Sequence, residues 1–375
     1  MISGLHKIIC CLTVAAAFVF SVYAPAVAGS PAETPPLLLQ QNAGSAGAPA
    51  SSSGRVPAAD SRKTHGYKLQ TVADSASARH SLHGRHALHA GLPVTITDDT
   101  GHTVQLQAPA QRIIALYGAF NEILTEMGLQ DRLVARTNAD NWPPAITALP
   151  AIGTHMRPNL ELVAGLAPDL VLQMSGRKEA QQAVAELRAM NIPVAEFHAG
   201  SFEQLFSVIT RLGVLTGTPQ KAAHLNGNLQ QRLEAVQTAV ADQPQPTVFF
   251  EVRYPNLLGA GQASIVNDII RFAGGTNCLQ ADKKLDRPSE EELLRLNPDV
   301  YIVQHGPMNK VPVPLTDRPH YRPLRAVQAN RWMIVEEAQF SRPGPRAVTA
   351  VEELARYLHP SRFAPAPAVT GQGDS

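Results

Sequence analysis

Pro158-Asn-Leu-Glu-Leu-Val-Ala-Gly-Leu-Ala-Pro-Asp-Leu-Val-Leu172 is nearly said again by Pro288-Ser-Glu-Glu-Glu-Leu-Leu-Arg-Leu-Asn-Pro-Asp-Val-Tyr-Ile302. Pro158 aligns with Pro288, Glu161 with Glu291, Leu166 with Leu296, and Pro168-Asp169 with Pro298-Asp299. Each copy has the chemistry of a short helix feeding a buried strand. Asn159 and Ser289 are N-cap residues that follow a proline. Ser289 with Glu292 adds a capping box. Pro-Asp stops the helix, and the apolar run behind it suits a strand of a parallel sheet. A unit used twice predicts two similar lobes, because a stacked solenoid needs at least three copies. Two lobes enclose a cleft, where ligands bind.

Around these copies, strand and helix patterns alternate. Val94–Thr97 and Thr103–Leu106 flank a turn at Asp98-Asp-Thr-Gly101 and predict a hairpin. Arg112–Tyr117, Leu133–Arg136, Leu170–Met174 and Val194–Phe197 read as strands. Asn121 is placed as the cap of a helix through Met127, and helices fit Lys178–Met190 and Phe202–Leu215. Thr218-Pro219 opens a longer helix that carries Leu225, Leu229, Leu233, Val236 and Val240 at helical spacing and ends before Pro244. Its reach, about 36 Å at 1.5 Å per residue, exceeds any loop crossover and makes it a stiff connector. The second lobe restarts at Thr247–Val252, with a helix at Ile265–Ala273, strands at Val300–Val303 and Trp332–Val335, and a last helix at Pro345–Leu358. The expected fold is α/β: a lobe at 93–216, a connecting helix at 217–243 and a second lobe at 244–362.

The first 28 residues fit a secretory signal: Lys7, an apolar Ile8–Val22, and Ala26-Val27-Ala28 as cleavage site. Bulky Ile9 before Cys10-Cys11 and the apolar run behind them speak against lipid attachment. A periplasmic location follows as an expectation. Only Cys278 then remains, which excludes an internal disulfide and reads as a buried thiol. Residues 29–92 are rich in Ala, Ser, Gly and Pro and read as a disordered linker, and 363–375 as a disordered tail. His80, His83, His86 and His89 recur every three residues within the linker and could bind a transition metal, which leaves open a metal chaperone. With 32 basic and 31 acidic residues the net charge is +1, which argues against nucleic acid as a partner.

Arg112-Ile-Ile-Ala-Leu, Asn121-Glu-Ile-Leu, the two repeated stretches, Ala273-Gly-Gly-Thr-Asn277 and Arg342-Pro-Gly-Pro-Arg346 with Leu358-His-Pro360 come in this order. Together, over about residues 94–362, they resemble the iron-siderophore, heme and vitamin B12 periplasmic binding proteins of ABC importers. The resemblance implies two α/β lobes joined by one rigid helix. It implies a monomeric receptor without catalysis or intrinsic cofactor. Such a receptor delivers a metal chelate (ferric siderophore, cobalamin or heme) to a permease of two transmembrane subunits with an ATPase. It also implies that Glu161 and Glu291 meet the permease, one per subunit, and that Trp142 touches ligand.

Ligands of open α/β sheets sit beyond the carboxyl ends of strands. That rule nominates Tyr117, Met174, Arg253, Tyr254 and His305. Trp142, in Asn141-Trp-Pro-Pro144, is a flat surface held by prolines. His155 and Met156 precede the first repeated helix, and both residue types can ligate heme iron or cobalt. Arg253 suits a planar anion, and Arg342 joins it as a ligand contact, with Arg346 expected to be structural. Met174 and Leu285 stand where the B12-binding relatives carry tryptophan, which weighs against cobalamin. No nucleophile triad, phosphate loop or His-Glu-x-x-His is present. An enzyme on this fold using His155 and Glu251 is the rival reading.

Overall fold

The repeated Pro-Asp ties each lobe together in the same way. In the computed structural model, which describes residues 92–363, the Asp169 carboxylate accepts from the backbone N–H of Gln111 at 2.7 Å and of Arg112 at 3.0 Å, while its own N–H donates to Arg112 O. Asp299 does the same to Thr247, accepting from its N–H at 2.9 Å and its hydroxyl at 2.7 Å and donating N–H to Thr247 O. Each aspartate thus pins the entry of its own strand to the entry of the lobe's first strand. That is why the dipeptide recurs. The signal segment, the histidine tract and the tail lie outside the described residues.

In the N-terminal lobe a hairpin of β1 (Val94–Thr97) and β2 (Thr103–Leu106) precedes a four-stranded sheet. That sheet has the order β4-β3-β5-β6, all parallel, with β3 Ile113–Ala115, β4 Leu133–Ala135, β5 Leu170–Met174 and β6 Val194–Phe197. Its helices are α1 (Gly118–Glu126), α2 (Leu160–Gly165), α3 (Lys178–Ala189) and α4 (Phe202–Leu215). All five β5 residues are buried, as expected of a strand covered on both faces. Asn159 caps α2 through Leu162 N–H, and Ser201 caps α4 through Gln204 N–H.

The connector is α5 (Pro219–Val240), whose 22 residues span about 33 Å. Its buried stripe, Ala222, Leu225, Leu229, Leu233, Val236 and Val240, packs between α4 and the final helix α10 (Arg346–Leu358). Both lobes share one apolar cluster through it.

The C-terminal sheet differs from expectation. It contains β7 (Thr247–Arg253), β8 (Leu258–Ala260), β10 (Leu285–Asp286), β11 (Val300–His305) and β12 (Trp332–Glu336) in the order β10-β8-β7-β11-β12, with β9 (Thr276–Asn277) also paired to β7. β11, β12 and β9 run parallel to β7, but β8 and β10 add an antiparallel edge. The sheet is therefore mixed, because a short turn after Arg253 folds the chain back as a hairpin before any helix intervenes. The remaining helices are α6 (Ile265–Phe272), α7 (Glu290–Leu296), α8 (Arg325–Gln328) and α9 (Glu337–Phe340). Ser289 Oγ accepts from Glu292 N–H at 3.0 Å, the serine half of the expected capping box.

One expected cap is corrected, and a second holds its position without the side-chain bond. Asn121 sits inside α1, whose N-cap is Tyr117, and donates Nδ2–H to Asp140 at 3.2 Å. Burial of its face requires it to satisfy another loop, not its own helix. Thr218 occupies the N-cap of α5, but its hydroxyl meets that of Thr216 at 2.7 Å instead of the helix amides.

Candidate functional site

The chain leaves β3 for β4 on one side and returns to β5 on the other, so the strand order reverses next to β3. That reversal opens a crevice at the carboxyl ends. Across it stand the carboxyl ends of β7, β11 and β12. Between them lies a cavity of about 390 Å³, within the size range of small-molecule sites.

The N-terminal wall comes from four segments. Leu116, Tyr117 and Gly118 follow β3, and Thr137, Ala139 and Asp140 follow β4. Thr154, His155 and Met156 lead into α2, and Arg177 follows β5. The C-terminal wall has Val252, Ala260, Ser264 and Val266. Lys284-Leu285, Gln304, Pro307-Met308, Glu337 and Ser341-Arg342 complete it. Apolar surface predominates, with the charged groups set around it.

Several contacts hold these side chains still. Gln173, buried in β5, donates its amide to His155 O at 2.7 Å and fixes the loop before α2. The His155 ring meets Tyr117 edge-on, with centroids 5.9 Å apart. Ser341 donates its hydroxyl to Gln304 at 2.5 Å. Arg342 pairs with Glu337 at 2.9 Å. Asp140 is 3% exposed. Its Oδ2 accepts from Asn121 and from the Thr137 hydroxyl at 2.7 Å. A Cβ on Gly118 would come within 2.7 Å of Asp140 Oδ1 and 2.8 Å of Arg342 Nη1. A larger residue there would make the Asp140 and Arg342 side chains shift.

Electrostatics set the site's preference. Burial, then Glu337, pushes the Tyr117 phenol up to about 12, so it stays a neutral donor. Burial, then Arg177, lowers the His155 imidazole below the ordinary histidine value, keeping it neutral near pH 7. Lys284 reaches solvent within the cleft, yet protein surrounds it on most sides. That desolvation, then the Arg177 charge across the cleft, pulls its ammonium down. Among the described residues neither Arg177 nor Lys284 has a salt-bridge partner, whereas the Arg342 charge is met by Glu337.

Of the residues nominated from the sequence, Tyr117, His155, Met156 and Arg342 come together around this cavity. The others lie off it. Met174 is packed in the core. Trp142 is 44% exposed, with the Arg346 guanidinium 5.1 Å from its ring centroid. Arg253 donates to Asn256 O at 3.4 Å. Tyr254 stacks on Arg318 at 3.8 Å and bonds His320. His305 pairs with Glu336 at 2.7 Å. Glu161 and Glu291 are exposed at the second position of α2 and α7.

Glu251, the acid of the enzyme reading, is wholly buried. It is bound bidentately by Arg318 at 2.5 and 2.9 Å and by Tyr301 Oη at 2.6 Å. Nothing is left of it for catalysis. Among the described residues no three His, Cys, Asp or Glu side chains are arranged to hold a metal ion.

The charged wall residues not nominated from the sequence are Arg177, Lys284, Asp140 and Glu337. The strand-end rule that nominated Tyr117 applies equally to Ser175-Gly-Arg177 after β5. Lys284 offered no signal, because it stands on the irregular chain before β10, outside any parallel repeat.

Residues 113–337 match the sequence profile of a family described as periplasmic binding protein, which is more than half of the 375-residue chain. The chain is 27% identical over 277 residues to the ABC transporter substrate-binding lipoprotein YvrC of Bacillus subtilis, covering 72% of this chain and 87% of that one. It is 27% identical over 256 residues to the vitamin B12-binding protein of Vibrio cholerae, covering 67% and 90%. Among solved structures, a periplasmic heme-binding protein from Pseudomonas aeruginosa superposes with a TM-score of 0.60 at 23% identity, covering 67% of this chain and 94% of that one. With the two α/β lobes, the bridging helix and the cleft between them, this places the chain in the periplasmic binding protein family of iron-siderophore, heme and vitamin B12 receptors: it is a substrate-binding component of an ABC importer, not an enzyme.

Proposed function

We propose that this protein captures an anionic metal chelate, a ferric siderophore or heme, between its lobes in the periplasm and presents it to a permease of two transmembrane subunits. The observation that carries the reading is the pair Arg177 and Lys284. One stands on each wall, neither has a carboxylate partner among the described residues, and the Arg177 charge disfavours the Lys284 ammonium. A preset like-charge pair lowers its energy by taking up an anion between the walls. Arg177 supplies a planar fork for carboxylate or catecholate oxygens, and Lys284 a mobile point charge. Tyr117 adds a neutral hydroxyl donor beside them.

The test is a visible-absorption titration with hemin, a ferric tricatecholate and cyanocobalamin. Saturable one-to-one binding of one of the first two is the expected result, lost or strongly weakened in Arg177→Ala with Lys284→Ala. Tight binding of cyanocobalamin alone, unaffected by that double substitution, overturns the anionic reading. The similarity to vitamin B12-binding proteins keeps that outcome in the test.

A second reading is favoured by one atom. His155 Nε2 is enclosed and has no hydrogen-bond partner. Its ring is neutral, the form that ligates iron. If hemin is the cargo, His155→Ala erases the shift of its Soret band; a retained shift removes His155 as an axial ligand. Export rests on the Lys7, Ile8–Val22 and Ala26-Val-Ala28 pattern. Docking to the permease rests on the exposed, matching positions of Glu161 and Glu291.

A further inference from the structure

We propose that Glu122 is a positioning residue for the cleft. Its ion pair with Arg346 clamps the C-terminal lobe's 342–346 loop onto α1 of the N-terminal lobe, and so fixes how far apart the two walls stand. Glu122 is 3% exposed, and its Oε1 accepts from Arg346 Nη2 at 2.5 Å. The loop lies directly on α1: a Cβ on Gly344 would stand 3.0 Å from Glu122 Oε2 and 3.5 Å from Ala119 Cβ. Both ends of this contact lead to the cavity. Glu122 shares α1 with the wall residue Gly118, and Arg346 lies four residues beyond the wall residue Arg342.

The pair is built for position more than for stability. Glu122 Oε2 and Arg346 Nε are buried without partners. Burial holds the Glu122 carboxyl above its ordinary range even with Arg346 beside it. A buried pair with unmet atoms gains little net stability, whereas it does specify geometry. Trp142 covers it, with its ring under the Arg346 guanidinium. This assigns a role to the tryptophan that the cavity wall leaves out. Among the described residues the other hydrogen bond between the lobes, Phe202 N–H to Asp268 at 2.9 Å, sits at the start of α4 and does not hold this loop.

The chain has two tryptophans, so Trp332→Phe leaves Trp142 as the sole reporter. In that background, Glu122→Gln should raise the acrylamide quenching constant about twofold and weaken binding of whichever of hemin, ferric tricatecholate or cyanocobalamin the parent takes up by about tenfold, as lost preorganisation does. The Arg346 side chain is 26% exposed and can meet water, unlike a fully buried cation, so the melting temperature should fall by only a few degrees, and Glu122→Asp should recover part of the quenching and affinity effects. Unchanged quenching and affinity overturn the proposal. So does a lowered melting temperature with affinity fully retained below it, which marks a purely structural pair. The quenching arm needs no ligand, so its failure is distinct from failure of the anionic-chelate reading.

Discussion

Replacing Glu251 by Gln is the sharpest test of how the C-terminal lobe is held. Arg318 is 1% exposed, enclosed by Tyr254 at 3.8 Å and Tyr321 at 5.3 Å from their ring centroids. Its counter-charge is Glu251, itself fully buried, with Tyr301 Oη donating to the same carboxylate and Val313 O accepting from Arg318 Nη2 at 2.6 Å. Glutamine keeps the volume and removes only the charge. The guanidinium would then be a buried cation without compensation, a change worth about 3–5 kcal/mol. That is a large share of the roughly 5–15 kcal/mol that stabilises a typical fold. It should lower the melting temperature by on the order of 10 °C, taking about 2–4 °C per kcal/mol for a chain of this size. Calorimetry measures it, with urea unfolding as a second measure. The double change Glu251→Leu with Arg318→Met should recover most of the loss, because apolar replacement of a whole buried pair is often neutral or better. The loop that ends at Arg318 begins with the wall residues Pro307 and Met308, so chelate affinity should fall with the single change as well. A Glu251→Gln protein that melts within the error of the parent would refute the reasoning and return Glu251 to the list of dispensable or catalytic acids.

Other outcomes follow from the same geometry. Arg177→Ala and Lys284→Ala should each weaken an anionic chelate by about 1.5–3 kcal/mol, the scale of a hydrogen bond to a charged group, as read by absorption titration at constant salt. Glu161→Ala with Glu291→Ala should leave affinity and melting unchanged and abolish stimulated ATPase activity in reconstituted importer, because both side chains are exposed and touch no part of the cavity. The Cys278 thiol, pushed up to about 12 by burial, should resist a thiol reagent at pH 8 in the native protein and react on unfolding. His155 is lowered below 6.5, so the unfolded chain binds the extra proton first as pH falls. Stability should therefore drop below about pH 6.5, and His155→Gln should flatten that limb of the melting-temperature profile.

The lobes were legible because their signals are local or repeated. The caps Asn159 and Ser289, the apolar stripe of α5 and the two Pro-Asp dipeptides each act within a few residues, or twice over. Legibility failed where a residue answers to distant chain. Asn121 has the composition of a cap, but α1 is buried on that face, and Asp140, nineteen positions on, claims its amide. Arg253 and His305 do stand at the carboxyl ends of strands, as the rule required. They end beside Asn256 and Glu336 instead of in the cleft, since the turn into the antiparallel β8 and the end of β12 offer nearer partners. Trp142 reads alone as a bare aromatic platform; only the fold brings Arg346 from the far end of the chain onto its face.

The same contrast explains how one scaffold can hold its outer face constant while its cleft changes cargo. The Pro-Asp ties of Asp169 and Asp299 and the exposed Glu161 and Glu291 belong to the repeated unit, so the pseudo-symmetric outer surface is set by the elements that fold each lobe. Altering Asp169 and Asp299 would disturb two strand entries at once. The cleft draws on segments outside the repeat: the loop after β5 that brings Arg177, the irregular chain at Lys284, and the loop carrying Pro307 and Met308. Substitution there changes charge and shape on the wall without touching a sheet. On the proposed reading, ligand preference can drift through the wall at Arg177 and Lys284 while the repeated unit, with Glu161 and Glu291 exposed on it, stays fixed.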